Sequence, residues 1–385
     1  MSIKMFTAYT EELDDADDAV AELLEQIDFE ELGAHTVGLI TCSYDFIESG
    51  IVDELVEKLP FDLVGMSTMA SASCGVFAKY RLMLNVLTAD DVQFSTAVTG
   101  PLDTGNLDEE IQLAYERALS GLPDKPVFII GFFPLLRSLG GEDMVIALDA
   151  ASGQTPIWGS IGSGDDMSYS TCRTIFNSTI DQAVLALIAV SGEVEPEFIL
   201  TSIPDNHIRN YKGLITSSEG SHLKTVDNIP TLDYIRELGV ILNPNDYTTV
   251  PLLLDNDDGS RPVALAIYSM NDDGSIVCGG RMPEGAYLSL GMIDHEGILE
   301  TAATSLREIL EAAEQRSVAL LLPCVTRYIM LSPQQDSEML AAIGALDGVV
   351  PYALGYSGGE VCPMRRADGS WVNRFHNFSF SACVL

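Results

Sequence analysis

The sequence predicts an α+β protein, a layered α/β/β/α sandwich built from repeated α-β-α-β-β units and divided into two domains. Three observations lead to this prediction. The chain has 385 residues, which exceeds the usual size of a single domain. Hydrophobic residues make up 47% of the chain, enough to form large apolar cores. A block of strands and helices also recurs three times, which indicates one architecture built repeatedly.

Each copy of the block has the same order of elements: an apolar strand, a helix with apolar residues at helical spacing, a second apolar strand and a closing strand. In the first copy these elements are the segments 36–42, 51–59, 63–68 and 82–87. In the second copy they are 127–131, 142–151, 157–164 and 182–190. In the third copy they are 318–324, 336–346, 352–360 and 375–385. A further helix precedes each copy, at 14–26, 108–119 and 297–315.

The strands of the repeat are apolar at nearly every position, so both of their faces should be buried. Helices then cover one face of each sheet, and another sheet covers the opposite face, which gives the layered sandwich. Each copy also has a glycine at the end of its second strand, namely Gly65, Gly159 and Gly355. Glycine at such a position permits a positive φ angle or a close approach by a neighbouring group.

The segment 193–294 is less regular than the repeats. Pro196 and Pro204, followed by a turn at 205–206, indicate a domain junction, so we expect one domain at 1–195 and a second at 196–385. The segment 231–238 is predicted to be a helix with Thr231 as its N-cap. The segments 261–268 and 275–281 are predicted to form a hairpin that turns at 271–274.

Charge and hydropathy exclude several classes of partner. The formal net charge is -37, with 57 acidic and 20 basic residues. A field of this sign repels phosphate backbones and anionic lipid, so neither nucleic acid nor a membrane is an expected partner. No apolar run approaches the ~20 residues that cross a bilayer, and the amino terminus lacks the apolar core of a signal peptide. These features predict a cytoplasmic, acidic protein.

Cysteine and histidine spacing does not favour a metal or a cofactor. The seven cysteines include no Cys-x-x-Cys pair, which is typical of reduced thiols inside a core. The five histidines are scattered, without zinc-ligand spacing. The acidic segment 255–259 has its glycine one position too early for an EF-hand loop. No Walker A sequence or dinucleotide fingerprint occurs, so no cofactor is predicted.

The segment 355–360 (GYSGGE) carries the strongest local signal for a binding site. Its three glycines around Ser357 can expose backbone N–H groups as an anion-binding nest, and Glu360 can receive a cation. Both partners together suit a zwitterionic amino acid. The alternative is a tight turn between two buried strands, with Glu360 in solvent, and the residues alone leave both open.

The same segment matches the Gly-x-Ser-x-Gly pattern of a hydrolase nucleophile elbow, with Asp368 and His376 following in the expected order. An elbow requires a helix directly after the serine. Pro363 and the Asp368-Gly369 pair instead predict a loop or hairpin at that place. The motif and the order of the three residues favour an enzyme, whereas the predicted loop does not. A hydrolase or transferase with Ser357 as nucleophile is the alternative function.

Cys324 ends an apolar strand and Arg327 follows three residues later. Either Arg327 lowers the pKa of the thiol and makes it a reactive nucleophile, or Cys324 is an inert core residue and Arg327 binds a ligand carboxylate. His376 and Asn377 are predicted to open the last strand, where one of them faces either the interior, as a satisfied core residue, or the site. Arg281 flanks a Met-Pro turn and is predicted to line the same pocket; an ordinary hairpin end is the alternative.

Several segments resemble the FIST family, named for F-box and intracellular signal transduction proteins. The carboxy-terminal half resembles the FIST C domain through the segments 229–235, 278–285, 322–327, 355–360 and 375–377. The first half resembles the FIST N domain through the segments 64–68 and 157–163. The resemblance covers nearly the whole chain and is most specific at the carboxy terminus.

The resemblance implies a sensor of small molecules, with amino acids among the expected ligands, that takes part in signal transduction. Because the sequence ends within the repeat, a separate signalling output protein is the expected partner, and the oligomeric state is not predicted. The predicted ligand-binding residues are Arg281, Cys324, Arg327, Tyr356, Ser357, Gly358, Gly359, Glu360, His376 and Asn377. An enzyme that uses Ser357 or Cys324 as nucleophile stays as the alternative.

Overall fold

The computed structural model describes residues 3–136, 139–164, 169–243 and 249–385. The first repeat comprises β1 (Lys4–Thr10), α1 (Ala16–Glu25), β2 (His35–Cys42), α2 (Tyr44–Glu48), α3 (Ile51–Lys58), β3 (Leu63–Ser67), β4 (Ser71–Ser73), β5 (Val76–Ala78) and β6 (Leu82–Ala89). The second repeat comprises β7 (Val92–Val98), α4 (Leu107–Ser120), β8 (Phe128–Phe133), α5 (Gly141–Ser152), β9 (Ile157–Ile161), β10 (Thr174–Phe176), β11 (Thr179–Asp181) and β12 (Ala186–Gly192).

The third repeat starts with β13 (Glu197–Thr201) and is then interrupted by an inserted segment. The insertion comprises β14 (Gly213–Glu219), β15 (His222–Val226), β16 (Ile229–Pro230), α6 (Thr231–Glu237), β17 (Leu252–Asp255), β18 (Val263–Leu265), β19 (Ile267–Met270), β20 (Ile276–Cys278) and β21 (Tyr287–Leu290). The repeat resumes with α7 (His295–Ala313), β22 (Ala319–Pro323), α8 (Val325–Met330), α9 (Ser337–Leu346), β23 (Tyr352–Gly355), β24 (Gly359–Arg365), β25 (Trp371–His376) and β26 (Phe380–Val384).

Three six-stranded sheets share one strand order. They run β1-β6-β2-β3-β10-β11, β7-β12-β8-β9-β24-β25 and β13-β26-β22-β23-β4-β5. In each sheet four strands belong to one repeat, and the last two are a hairpin supplied by another repeat. The first repeat extends the third sheet, the second repeat extends the first sheet, and the third repeat extends the second sheet. This cyclic exchange ties the three repeats together.

The layered α/β/β/α arrangement is confirmed. Helices α1 and α3 share a core with the outer face of the first sheet, α4 and α5 with that of the second, and α7 and α9 with that of the third. The inner faces of all three sheets meet in a further core, to which Leu39, Ile130 and Leu320 contribute one residue from each repeat. Both faces of these sheets are therefore buried, as continuous apolar strands require.

The predicted elements of all three copies are present, with differences at their ends. The segment 375–385 is predicted to be one strand but contains parts of two, because the chain leaves the second sheet after β25 and joins the third sheet as β26, with Phe378 at a φ of 60° in the connection. Thr231 is not the N-cap of α6; Pro230 precedes the helix, and the Thr231 hydroxyl donates to the Leu223 carbonyl over 3.2 Å instead. The hairpin at 271–274 is confirmed by the pairing of β19 with β20.

Strands cross the predicted domain boundary at residue 195/196. The third repeat supplies β24 and β25 to the second sheet, and the first repeat supplies β4 and β5 to the third sheet. The division at residue 195 therefore stays a prediction. Within the described ranges, no helix is long and apolar enough to cross a membrane.

Two of the three predicted glycines have the same structural reason. A Cβ atom on Gly65 would lie 1.9 Å from the carbonyl oxygen of Ile40, and one on Gly159 would lie 2.0 Å from that of Gly131. In both places the paired parallel strand approaches too closely for any side chain. Gly355 differs, because its nearest neighbour is a methyl group of Thr41 at 3.1 Å.

Replacement of Gly159 by alanine is expected to destabilise the protein by about 3 kcal/mol or more, because a backbone carbonyl cannot move away from the new methyl group. Gly344→Ala is the matched control. Gly344 lies inside α9, where an added Cβ atom would meet nothing within 4 Å, so alanine there should stabilise the helix by up to about 1 kcal/mol. Urea denaturation of both variants measures the difference, and equal effects would contradict the argument.

Candidate functional site

The ends of the second strands of the three repeats meet at one place. The Ser163 N–H donates to the Ser67 carbonyl over 3.0 Å, which joins the second repeat to the first. The Thr68 and Ser163 hydroxyls donate to the Tyr356 carbonyl over 2.8 Å and 3.0 Å. The predicted loop 355–360 therefore lies where all three repeats converge.

The loop does not form the predicted anion-binding nest, because its N–H groups donate within the protein. The Tyr356 N–H donates to the Ala70 carbonyl, that of Ser357 to Pro323, and that of Gly358 to Ile161, over 3.1, 2.8 and 2.8 Å. The Gly359 N–H donates to the Ser357 hydroxyl over 3.0 Å. These four groups fix the loop to its neighbours and leave no cluster of donors for a ligand anion.

The corresponding strand ends of the first two repeats hold the repeats together through hydrogen bonds of Ser67 and Ser163. The Ser67 hydroxyl donates to the Ser163 carbonyl over 3.0 Å and accepts from the Arg173 N–H over 2.8 Å. The Ser163 hydroxyl also accepts from the Met69 N–H over 3.1 Å. Their hydroxyl groups are committed to holding the repeats together. The third repeat differs because it adds an ionisable residue, Glu360, two residues into its hairpin.

Glu360 is completely buried at the start of β24. Its Oε2 accepts from the Ser379 hydroxyl over 2.7 Å and from the Ser379 N–H over 3.3 Å. Its Oε1 has no hydrogen-bond partner among the described residues. Burial raises the pKa of this carboxyl group to about 8, and the Ser379, Ser357 and Cys324 side chains oppose that rise. Ser357 and Cys324 therefore lie close enough to stabilise the charged form of Glu360, although neither forms a hydrogen bond of normal geometry with Oε1.

Cys324 and Ser357 pair through an isolated parallel β-bridge, so the two candidate nucleophiles lie side by side. The Ser357 hydroxyl donates to the Gly359 carbonyl over 2.7 Å and is not directed at a base. Burial, and then the nearby Glu360, raise the pKa of the Cys324 thiol far above its usual value. The Ser357 hydroxyl therefore has no base to remove its proton, and the Cys324 thiol is not converted to a thiolate. Neither side chain is activated as a nucleophile.

His376 and Asn377 do not open the last strand, which corrects the sequence-based prediction. His376 ends β25, directly opposite Glu360, and Asn377 lies in the connection to β26. Burial lowers the pKa of His376 to about 3, and its Nε2 has no partner in the described part of the chain. The Asn377 Oδ1 accepts from the Ala266 N–H over 3.0 Å, which ties the site to the inserted segment.

Arg327 is completely buried and is already paired. Its guanidinium contacts one carboxylate oxygen of Glu338 at 2.9 Å and 2.5 Å. It also donates to the carbonyls of Phe378 and Ile298 and to the Thr301 hydroxyl, over 3.2, 2.8 and 3.0 Å. These contacts occupy the donors that a ligand carboxylate would need.

Tyr356 and Arg281 have different surroundings. The Tyr356 ring is buried, and its hydroxyl donates to Glu338 over 3.3 Å, so it belongs to the Arg327 network. Arg281 is half exposed, and its Nε donates to Asp143 of α5 over 2.5 Å. The structure brings the predicted residues between 324 and 377 together, whereas the Arg281 guanidinium is engaged with α5.

Three residues near Glu360 or Cys324 were not predicted: Ser379, Tyr268 and Tyr169. A side-chain hydrogen bond joins Tyr268 to Asn377, and the phenol lies close enough to Cys324 and Glu360 for both to raise its pKa, after burial itself. Burial and then Cys324 raise the pKa of Tyr169. Tyr268 lies in the inserted segment and Tyr169 in the second repeat, so no local sequence pattern connects them with Glu360.

Thiol labelling under native conditions is expected to modify Cys74 and to leave Cys324 unmodified. Cys74 is exposed and the other six cysteines are buried. Burial also keeps Cys324 in the unreactive thiol form. Iodoacetamide treatment followed by peptide mass spectrometry measures this, with a urea-unfolded sample as the control for full labelling. Rapid native labelling of Cys324 would show an activated thiolate and would revive the enzyme alternative.

Comparison with known families and structures gives three findings. Residues 232–363 match the family model described as the FIST C domain. No curated protein matches the chain. Two similar solved structures are a cyanuric acid hydrolase from A. caulinodans and a second protein described as a cyanuric acid hydrolase that arose by structural concatenation.

The first of these structures is 10% identical, has a TM-score of 0.40, and the alignment covers 100% of this chain and 98% of that one. The second is 11% identical, has a TM-score of 0.34, and the alignment covers 100% and 99%. Neither likeness is close enough to support an inference about activity. The match to the FIST C domain includes the loop 355–360 but not His376 or Asn377.

Proposed function

We propose that this protein is a small-molecule-binding sensory protein whose ligand binds at the Glu360 cluster, defined as Glu360, Cys324, Ser357, Asn377 and Tyr268. The match of residues 232–363 to the FIST C domain supports the sensory class. The observation that carries the site is Glu360 itself, a completely buried carboxyl group that has one oxygen without a hydrogen bond and no ion pair to any described residue.

An arrangement of this kind is costly for a purely structural residue. A buried polar atom without a partner costs about 1–3 kcal/mol, and nearly all such atoms in folded proteins are satisfied. Strongly shifted carboxyl groups occur most often where they act on a ligand or a substrate. A ligand N–H group that reaches Oε1 would remove the penalty, and this gain would contribute to its binding energy.

Tyr268 lies between the rest of the Glu360 cluster and the surface. Its phenol group reaches Asn377 inside the protein, while 39% of the residue is exposed. A ligand that enters beside this ring meets Asn377 and then Glu360. Because Tyr268 belongs to the inserted segment and Glu360 to the third repeat, a bound ligand would join the two. Such a change in the contact between segments is what a separate output protein would detect.

Small polar molecules, including amino acids, are the proposed ligands, and Glu360 rather than Arg327 is the proposed anchor. An ammonium or amide N–H group fits the unpaired Oε1. Arg327 contributes indirectly, because its bond to the Phe378 carbonyl holds the connection that carries Asn377 and Ser379. The alternative enzyme hypothesis has less support, since the Ser357 hydroxyl donates to a backbone carbonyl and burial keeps Cys324 in its thiol form.

The proposal is tested by thermal-shift measurements with a library of amino acids, primary amines, amides and sugars at millimolar concentration. A ligand that binds only the folded state raises its stability by RT ln(1 + [L]/Kd). We expect hits with wild type and with Glu300→Gln, a control on the exposed side of α7, and no hits with Glu360→Gln. The absence of any hit, or equal hits with Glu360→Gln, would contradict a ligand site at Glu360.

A further inference from the structure

Glu360 has no counter-ion among the described residues, although arginines lie nearby. Arg327 is paired with Glu338, and Arg374, two residues before His376, is paired with Glu142 and Asp258. Arg281 is paired with Asp143. Each of these cations has a carboxylate of its own. Among the described residues, Glu360 is a completely buried carboxyl group that has no cation paired with it.

The surroundings of Glu360 that the structure describes also lack a free cation that could pair with a ligand anion. The N–H groups of the loop donate to carbonyls and to the Ser357 hydroxyl, and the donors of Arg327 are occupied. The side chains that act on the Glu360 carboxyl group are the Ser379 and Ser357 hydroxyls and the Cys324 thiol, which are neutral donors and not cations. With a net charge of -37, the long-range field of the chain also concentrates cations and repels anions.

From this arrangement we infer that the ligand class of the Glu360 cluster is an organic cation with at least one N–H group, and that a carboxylate next to the amine weakens binding. The inference rests on the proposed function and specifies it. The inference predicts that a simple amine binds more tightly than the amino acid that has the same hydrocarbon group. An amine brings the counter-ion that Glu360 lacks, whereas an amino acid also brings a carboxylate, and each described arginine near the cluster is already paired with a carboxylate of its own.

Binding of an ammonium ion must exchange a proton. Glu360 is neutral when it carries its proton, so a neutral carboxyl group and a ligand ammonium ion become a carboxylate–ammonium pair, and one H⁺ is released to solvent. Burial holds the pKa of Glu360 near 8 in the free protein. Below that pH the ligand therefore competes with protons, and its affinity falls about tenfold for each unit of pH.

The other titratable groups that the structure describes around Glu360 do not change charge in this range. Burial raises the pKa of Cys362, on the same strand, to about 12, and it raises those of Cys324, Tyr169 and Tyr268 as well. His376, on the facing strand, has a pKa lowered by burial to about 3 and stays neutral. Between pH 6 and 8.5 the proton that binding releases comes from Glu360.

The test uses three matched sets: propylamine with 2-aminobutyrate and 1-propanol, isobutylamine with valine and isobutanol, and phenethylamine with phenylalanine and 2-phenylethanol. Each set holds the hydrocarbon group constant and changes the polar groups attached to it: an ammonium group alone, an ammonium group with a carboxylate, or a neutral hydroxyl. Titration calorimetry at pH 6.0, 7.0 and 8.5, in two buffers with different ionisation enthalpies, gives the affinity and the number of protons released. Wild type is compared with Glu360→Gln and with the exposed control Glu300→Gln.

We expect at least one amine to bind wild type, at least tenfold more tightly than its amino acid and its alcohol. Its affinity should rise about tenfold from pH 6.0 to 7.0, with release of close to one proton, and it should be lost in Glu360→Gln. Glu360-dependent hits that are all neutral or zwitterionic in the wider library would overturn this inference and leave the proposed function standing. Failure of the whole library would overturn both.

Discussion

Replacement of Glu360 by glutamine is expected to stabilise the protein progressively, relative to wild type, as the pH rises from 5 to 8. The ordinary pKa of a glutamate is 4.5, and burial raises that of Glu360 to about 8 in the folded protein. Between these values the unfolded chain loses the proton while the folded chain keeps it. Stability then falls as pH rises, by at most about 1.4 kcal/mol per unit, and glutamine has no proton to lose.

The measurement is the difference in the free energy of unfolding between Glu360→Gln and wild type, taken from urea denaturation at pH 5, 6, 7 and 8. The difference is more informative than the wild-type curve alone, because burial also raises the pKa of Glu142 and adds a slope of the same sign. Below pH 5 the two proteins should be nearly equal. A difference that stays constant from pH 5 to 8 would show that the folded protein holds Glu360 ionised.

Replacement of Arg327 by methionine is expected to cost about 3–5 kcal/mol. The change leaves Glu338 completely buried without its partner, and removal of one member of a buried ion pair has an effect of this size. It also removes the Arg327 donor from the Phe378 carbonyl, while the Ile298 carbonyl keeps the Thr301 hydroxyl as a donor. The expected result is a large fall in the urea midpoint at pH 7, together with weaker ligand binding, because the connection that carries Asn377 and Ser379 loses its support.

The double variant Arg327→Met, Glu338→Leu separates the cost of an uncompensated charge from the loss of packing. Removal of both charges should restore more than half of the lost stability, since a buried pair can often be replaced by apolar residues at little cost. The exposed pair of Arg236 and Asp233 is the matched control, where Arg236→Met should change stability by less than about 1 kcal/mol. A double variant no more stable than Arg327→Met would indicate that the carbonyl contacts, not the charge, dominate.

Much of the repeat could be predicted from the sequence, because its signal is local. Apolar strands and amphipathic helices have their own periodicities, and these located three helix-containing blocks along the chain. The first strand of each repeat, such as β1 or β7, was missed because it is only half buried and lacks a continuous apolar run. The short hairpins β4–β5 and β10–β11 were missed because three-residue strands form only against the sheet of another repeat.

The candidate site shows the same division. Its glycine loop and Glu360 are visible as a pattern, but whether a side chain is satisfied depends on partners that lie far away in the sequence. From the sequence, Arg327 is a candidate for binding a ligand carboxylate. In the structure its N–H groups donate to Glu338 and to the Ile298 carbonyl instead. From the sequence, the N–H groups of the loop 355–360 are candidates for binding an anion. In the structure two of them donate to the carbonyls of Ala70 and Ile161, which belong to the other two repeats.

By itself, the sequence determined the α+β class, the threefold repetition, the acidic net charge and the residues 357–360 as the part that sets the third copy apart. These depend on composition and on short-range periodicity, which the chain carries in every conformation. Only the tertiary structure decided the exchange of hairpins among sheets, the commitment of Arg327 and the isolation of Glu360. Burial and pairing are relations between distant residues, and they set the free energy of each charge only after the repeats have come together.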